Sequence, residues 1–303
     1  MPKEYPILEI DPSWKRSGED MGSKRKFWFR HEERMWLYKQ ARLNTGEHWA
    51  EKIASEIAFK LGLPTHKVEL AKFEGDPGCA VLSFLEKNET LIHGNELMAG
   101  TIDGYDKHKE RGQADHHFNN IVCALESRFP SPETRMRVSI RFVGYLVFDA
   151  LVGNTDRHHE NWGVVQKTEI SQNPETDRLR LSLRTRLAPT FDHGSSLGRE
   201  LLDERKQMIL EQATGIQRYI RKGTGGIFLD SHAKKGLPPI ALAELIATRY
   251  PELFRPWQKR ILDLGEEFAE DIVLGIPRSC MSEASVQFVL ALLKESRNLI
   301  LAI

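Results

Sequence analysis

Asp156 and Asn161 stand in Gly153-Asn-Thr-Asp-Arg-His-His-Glu-Asn-Trp162 with the spacing D-x-x-x-x-N. A carboxylate can orient the proton of an attacking hydroxyl, and a nearby carboxamide oxygen can reach a metal ion that holds phosphates. The spacing alone is common. It gains weight from Leu187-Ala-Pro-Thr-Phe-Asp192-His-Gly194, where another carboxylate follows an expected hairpin. Lys39 closes an expected strand on the same face as Met35 and Leu37, and a lysine on an apolar face needs a partner or a ligand. The helix that should follow carries Glu47, Glu51 and Glu56 as candidate partners. A lysine, then a carboxylate, a carboxamide and another carboxylate along the chain are parts for metal-assisted phosphoryl transfer.

The elements that must position these residues can be read from periodicity. Lys26–Arg30 and Met35–Lys39 alternate as strands joined by the charged turn His31–Arg34. Asn44 or Thr45 can cap a helix in which Trp49, Ile53, Ile57 and Leu61 form one apolar stripe. Gly62 and Pro64 stop it. Val68–Phe73 and Cys79–Leu85 read as strands around a Gly75–Gly78 turn. From about residue 117 the pattern becomes helical, over Val138–Val152, Leu202–Ala213, Ile240–Arg249 and from Phe268 onward. One β-like island interrupts it: Trp162–Lys167, a turn at Asn173–Thr176, and Arg178–Arg184. The basic run Arg218–Lys222 and the following Gly223-Thr-Gly-Gly226 read as a solvated loop. The predicted fold is α+β and bilobal, with a small β-rich lobe over 1–88 and a larger, mainly helical lobe over 89–303. A cleft between the lobes is where a ligand would bind.

Composition excludes several classes. Lys plus Arg and Asp plus Glu both number 43 in 303 residues, so no bulk basic field argues for nucleic acid, and none is expected to bind directly. The three cysteines, Cys79, Cys123 and Cys280, form no disulfide framework and no C-x-x-C pair. The N-terminus carries Lys3, Glu4, Glu9 and Asp11 without the apolar core of a signal peptide. No apolar stretch is long enough to span a bilayer. These features predict a cytoplasmic protein without membrane contact.

Ser17-Gly-Glu-Asp-Met-Gly-Ser-Lys24 is no Walker A motif, although Gly22 and Ser23 could offer backbone N–H groups to phosphates. In order and spacing, these pieces together resemble the HipA-like serine/threonine kinases, from about Gly22 to at least Leu197. The resemblance implies ATP and Mg²⁺ as cofactors and Asp156 as catalytic base. It implies Asn161 and Asp192 as metal ligands, Lys39 on the phosphates, and Glu51 as the partner of Lys39. Gly22 and Ser23 would border the phosphates, and Ser83, Phe84 and Leu85 would face adenine. Ser23 would be a site of inhibitory autophosphorylation. Full-length relatives carry an extra N-terminal domain, so the chain resembles the shorter members, in which that piece is a separate protein. A protein acceptor, and an antitoxin or N-terminal-domain-like partner protein, are the implied partners.

Other readings stay open at this stage. Asp156-Arg-His-x-x-Asn161 also resembles the loop of phosphatidylinositol kinases, so a lipid or small molecule could be the acceptor on the same fold. A metal-dependent phosphohydrolase could use Asp115-His116-His117, His158-His159 and Asp192-His193 as a His/Asp cluster. A degenerate kinase fold would only bind a partner.

Overall fold

The computed structural model describes residues 3–19, 25–109, 111–172 and 179–303. Gly22 and Ser23, and the Asn173–Thr176 turn, lie outside the described residues.

The N-terminal part is a six-stranded sheet with one helix. Its strands are β1 (Ile7–Glu9), β2 (Lys15–Glu19), β3 (Lys26–His31), β4 (Arg34–Gln40), β5 (Val68–Phe73) and β6 (Asp76–Leu82), in the order β1-β5-β6-β4-β3-β2. Only β1 and β5 pair in parallel. The alternation of β3 and β4 sends Phe27, Phe29, Trp36 and Tyr38 into an aromatic core on one face. Lys39 therefore points to the other face, where α1 (Glu47–Lys60) packs. The α1 stripe of Trp49, Ile53 and Ile57 is fully buried, worth about 1.5–3 kcal/mol per large side chain.

Several local expectations need correction. The α1 N-cap is Gly46, because a Cβ there would lie 1.9 Å from the Trp49 ring. Asn44 instead takes a left-handed φ of 59°, and the Thr45 hydroxyl donates to the Arg42 carbonyl. The β5–β6 turn falls at Glu74-Gly75, whose φ values of 54° and 86° suit a two-residue hairpin, so β6 starts at Asp76. It ends at Leu82, which leaves Ser83–Leu85 outside the sheet.

The remainder is mainly helical around a small antiparallel sheet. β7 (Glu89–His93), α2 (Gly94–Ala99) and α3 (Phe118–Glu126) lead to α4 (Pro132–Val152). The Ser131 side chain caps α4 at the Thr134 N–H, and Pro132 suits its first turn. Its second half, Phe142 to Val152, is buried on every side, as the central helix of the core must be. The hairpin β8 (Gly163–Gln172) and β9 (Leu179–Leu187) joins β7 in the order β7-β8-β9. Then come α5 (Asp203–Leu210), α6 (Gly215–Lys222), α7 (Pro239–Arg249), α8 (Pro251–Asp263), α9 (Glu270–Leu274) and α10 (Glu283–Ala302). The run Arg218–Lys222 is thus helical, contrary to the loop expected. Arg221 and Lys222 sit in the last turn of α6, where the dipole favours cations. Among the described residues no helix is long and apolar enough to cross a membrane.

Candidate active site

The site is built on the C-terminal end of α4. Gly153 ends that helix in the left-handed conformation, φ 66° and ψ 34°, and donates its N–H to the Asp149 carbonyl. Asn154 donates its side-chain amide to Asp149 Oδ1 at 2.8 Å and accepts the Asp156 N–H at 3.1 Å. The loop leaving α4 is therefore fixed before Asp156 is reached.

Arg157 does most of the remaining positioning. Its guanidinium grips Asp149 with Nε on Oδ2 and Nη2 on Oδ1, both at 2.7 Å, and both side chains are buried. The same guanidinium donates to the Asn161 and Phe191 carbonyls and to Thr190 Oγ1 at 3.1 Å. One buried cation thus ties α4, the Asp156–Asn161 loop and the segment that carries Asp192. Burial alone would lower its pKa, and the Asp149 carboxylate outweighs that and raises it. The Asn161 side-chain amide donates to the Asp156 carbonyl at 2.6 Å, which leaves its carboxamide oxygen available as a donor to a cation.

Asp192 follows β9 on a segment anchored twice. Tyr145 of α4 donates to the Ala188 carbonyl at 2.8 Å, and the Thr190 N–H donates to the Pro64 carbonyl at 2.9 Å. Asp192 holds a left-handed φ of 59°, which costs an L-residue on the order of 1–2 kcal/mol. Lys39 Nζ donates to Asp192 Oδ1 at 2.9 Å and lies 3.8 Å from Glu51 Oε2. The Glu51 carboxylate also accepts the His193 N–H at 3.0 Å. Of the three glutamates on α1, Glu51 is the one that reaches Lys39. Glu47 binds Arg42 and Arg199, and Glu56 binds Lys52.

The electrostatics follow from this packing. Burial alone would lower the Lys39 pKa, but Asp192 and Glu51 outweigh it, so the ammonium is raised and stays charged. The Lys39 charge holds Asp192 below the usual carboxylate range. Burial would push Glu51 up, and Lys39 beside it reverses the sign. Burial moves His193 down to about 3, with the Arg157 cation reinforcing the shift, so its ring is neutral.

Lys39, Glu51, Asp156 and Asp192 line one cavity of about 270 Å³. Asn161 and Ser83–Leu85 are outside its lining. Phe84 packs its ring 5.7 Å from that of Phe191, beside Asp192, and Ser83 bonds back to Met35 through its N–H. Two residues of the cavity, Ser195 and Arg199, carry no signal in the sequence as site residues. The Ser195 hydroxyl donates to Asp156 Oδ2 at 3.2 Å, and Arg199 bridges Ser195 and Glu47. The histidines of the alternative metal cluster are engaged elsewhere. His116 contacts Trp162 and Gly226, and His159 contacts Tyr105. Among the described residues no group of His, Cys, Asp and Glu is arranged to hold a metal ion by itself.

No family profile matches the sequence. The serine/threonine-protein kinase CtkA of Helicobacter pylori (strain J99) is 24% identical over 188 residues, which cover 62% of this chain and 52% of the relative. The match thus spans about half the length of that curated relative. The crystal structure of the H. pylori proinflammatory kinase CtkA superposes with a TM-score of 0.74 at 20% identity, covering 98% of each chain. A chain of the Shewanella oneidensis MR-1 HipA, HipB and operator DNA complex superposes with a TM-score of 0.57 at 13% identity. There the match covers 99% of this chain and 66% of that one. The fold is the α+β kinase-like fold of these proteins, with a sheet-rich N-terminal part and a helical C-terminal part, as the resemblance implied.

Proposed function

We propose that this chain is an ATP- and Mg²⁺-dependent phosphotransferase, a HipA-like serine/threonine protein kinase whose lobes divide at 88/89. The observation that carries the reading is the junction of Lys39, Glu51 and Asp192 on the cavity that Asp156 also lines. The likeness to the kinase CtkA supports the same reading.

The residues suit the cofactor. Mg²⁺ takes hard oxygen donors, and the Asp192 carboxylate and the free Asn161 carboxamide oxygen supply them. Mg-ATP bound there supplies the transferable phosphoryl group. Lys39, kept charged by its two carboxylates, sits where it can pass from Asp192 to the phosphate oxygens. Glu51 limits that movement because α1 and the His193 N–H hold it. Ser83–Leu85 would border adenine, and Gly22 and Ser23 the phosphates, with Ser23 a self-modification site.

Asp156 is the base. The Ser195 contact shows that this carboxylate receives a hydroxyl donor from the cavity side. An acceptor hydroxyl donating to this carboxylate would have its proton drawn to it while its oxygen faces the phosphoryl group. Transfer is then mainly positioning and charge stabilisation. The acceptor is a protein, and an antitoxin or separate N-terminal-domain-like protein is the partner, in the cytoplasm. Calorimetry with Mg-ATP tests the assignment. Asp192→Asn should weaken binding and abolish transfer, and full activity of that variant, or of the wild type in EDTA, refutes it.

A further inference from the structure

We propose that a second, basic cavity beside Asp156 is the acceptor site, and that it takes a hydroxyl residue within an acidic stretch of a protein. The proposal rests on the phosphotransferase reading and names the substrate class of that site. Asp156 lines both cavities, one of about 270 Å³ on the Lys39 side and one of about 630 Å³ on the other. A hydroxyl must reach Asp156 from the side that the nucleotide does not fill.

The charge of the second cavity is local. Arg42, Lys109, Arg111, Lys234 and Lys235 line it against the two carboxylates Asp156 and Glu160, an excess of cations although the whole chain has a formal net charge of +0. Lys109, Arg111, Lys234 and Lys235 are exposed and have no ion-pair partner among the described residues. Unpaired cations around a cleft raise the local concentration of an anionic ligand.

The wall that carries Lys234 and Lys235 is built onto the catalytic loop. Gly226 lies so close that a Cβ would be 2.8 Å from the Arg157 carbonyl and the His158 nitrogen. A Cβ on Gly236 would lie 1.9 Å from the Gly225 carbonyl oxygen. The Gly225 N–H donates to the Leu237 carbonyl at 3.0 Å, and the Leu237 N–H to the Ile227 carbonyl at 2.8 Å. Buried His116 locks the wall, with Nδ1 2.8 Å from the Gly226 carbonyl and Nε2 accepting from Trp162 at 2.9 Å. Burial lowers its pKa to about 3, so the lock stays neutral. Gly225 and Gly226 therefore serve close backbone approach. A peptide fits this lining better than RNA. Its only Phe, Tyr or Trp among the described residues is the buried Phe228, and the His116 and His159 rings are buried too, which leaves the half-buried His158 as its one ring open to stack on a base.

The test uses the full chain and three fluorescent serine peptides that differ only in Asp/Glu, Ala or Lys flanks. Binding is read by anisotropy at low and high salt, and transfer with labelled Mg-ATP. The acidic peptide should bind about tenfold tighter than the Ala peptide, lose that margin in high salt, and express it in KM rather than kcat. Lys234→Glu combined with Lys235→Glu should cancel or invert the order. Equal binding, a preference for the Lys peptide, or an unchanged order in the charge-reversed protein overturns the proposal. RNA that displaces the acidic peptide at higher affinity also overturns it, and assigns the site to nucleic acid. A wild type that binds the acidic peptide but neither binds Mg-ATP nor transfers phosphate upholds the anion site and refutes the phosphotransferase reading instead.

Discussion

Replacing Arg157 with methionine should disconnect the Asp156–Asn161 loop from the helix that carries it. The guanidinium makes two 2.7 Å charge-assisted bonds to Asp149, whose carboxylate is 3% exposed. Without Arg157, Asp149 keeps only the Asn154 amide as a side-chain partner among the described residues. Breaking a buried pair in this way costs about 3–5 kcal/mol, because the remaining charge is left uncompensated. For a chain of this size that corresponds to a melting temperature lower by roughly 5–8 °C. The Asp149→Leu, Arg157→Met double variant removes both charges and should recover more than half of the loss. With Asp149→Leu alone costing a similar amount, the coupling would then be about 5 kcal/mol or more. Phosphotransfer should stay low even in the double variant, since the bonds to the Asn161 carbonyl and Thr190 are still missing. Urea unfolding and thermal melting of the four proteins measure the cycle. A single variant melting within about 1 °C of the wild type, or strict additivity in the double, refutes the reasoning.

Lys39→Met should abolish transfer and also lower the melting temperature by several degrees, because it leaves Glu51, 2% exposed, without its cation. A strand-end lysine looks dispensable for stability in the sequence, and the burial of Glu51 corrects that. Adding Glu51→Gln should restore stability but not transfer, as melting and activity assays will show. Acid should destabilise the fold early. Burial holds His48 near about 4 and His116 near about 3, against 6.5 in the unfolded chain. The unfolded state therefore binds more protons as pH drops below about 6.5, and stability falls by about 1 kcal/mol per pH unit for each ring. A stability curve that stays flat from about pH 7 to about pH 5 contradicts this burial.

What the sequence discloses depends on whether an element carries its own periodicity. β3, β4, β5 and the stripe of α1 have it, and fall within a residue or two of the strands and helix expected. β1 and β7 are short and gain their order from partners far along the chain, Leu70 and Val165 among them, so no local pattern marks them. α8 begins with Pro251 and holds Pro256 inside, which reads as interruption although packing keeps it helical. Asp156 of the D-x-x-x-x-N spacing, Asp192 and Lys39 come together on one cavity, with Lys39 bonded to Asp192, while Asn161 lies outside its lining. Arg157 was invisible as an organiser because Asp149 reads simply as part of an apolar helix. Ser195 carried no signal beyond its nearness to Asp192, since only the folded loop brings its hydroxyl to Asp156. Gly22 and Ser23 lie outside the described residues.

We propose above all that Asp156 orients an acceptor hydroxyl while Asn161, Asp192 and Lys39 hold Mg-ATP. The direct measurement pairs calorimetric ATP binding with the transfer rate for Asp156→Asn. The substitution preserves shape and leaves the Lys39–Asp192 contact and the Asn161 bond to the Asp156 carbonyl in place. ATP affinity should stay close to wild type, and transfer should fall by a factor on the order of a hundred or more, the size of a lost general-base contribution. Loss of ATP binding together with rate would make Asp156 a metal ligand, and an unchanged rate would remove it from the chemistry; either result contradicts the account.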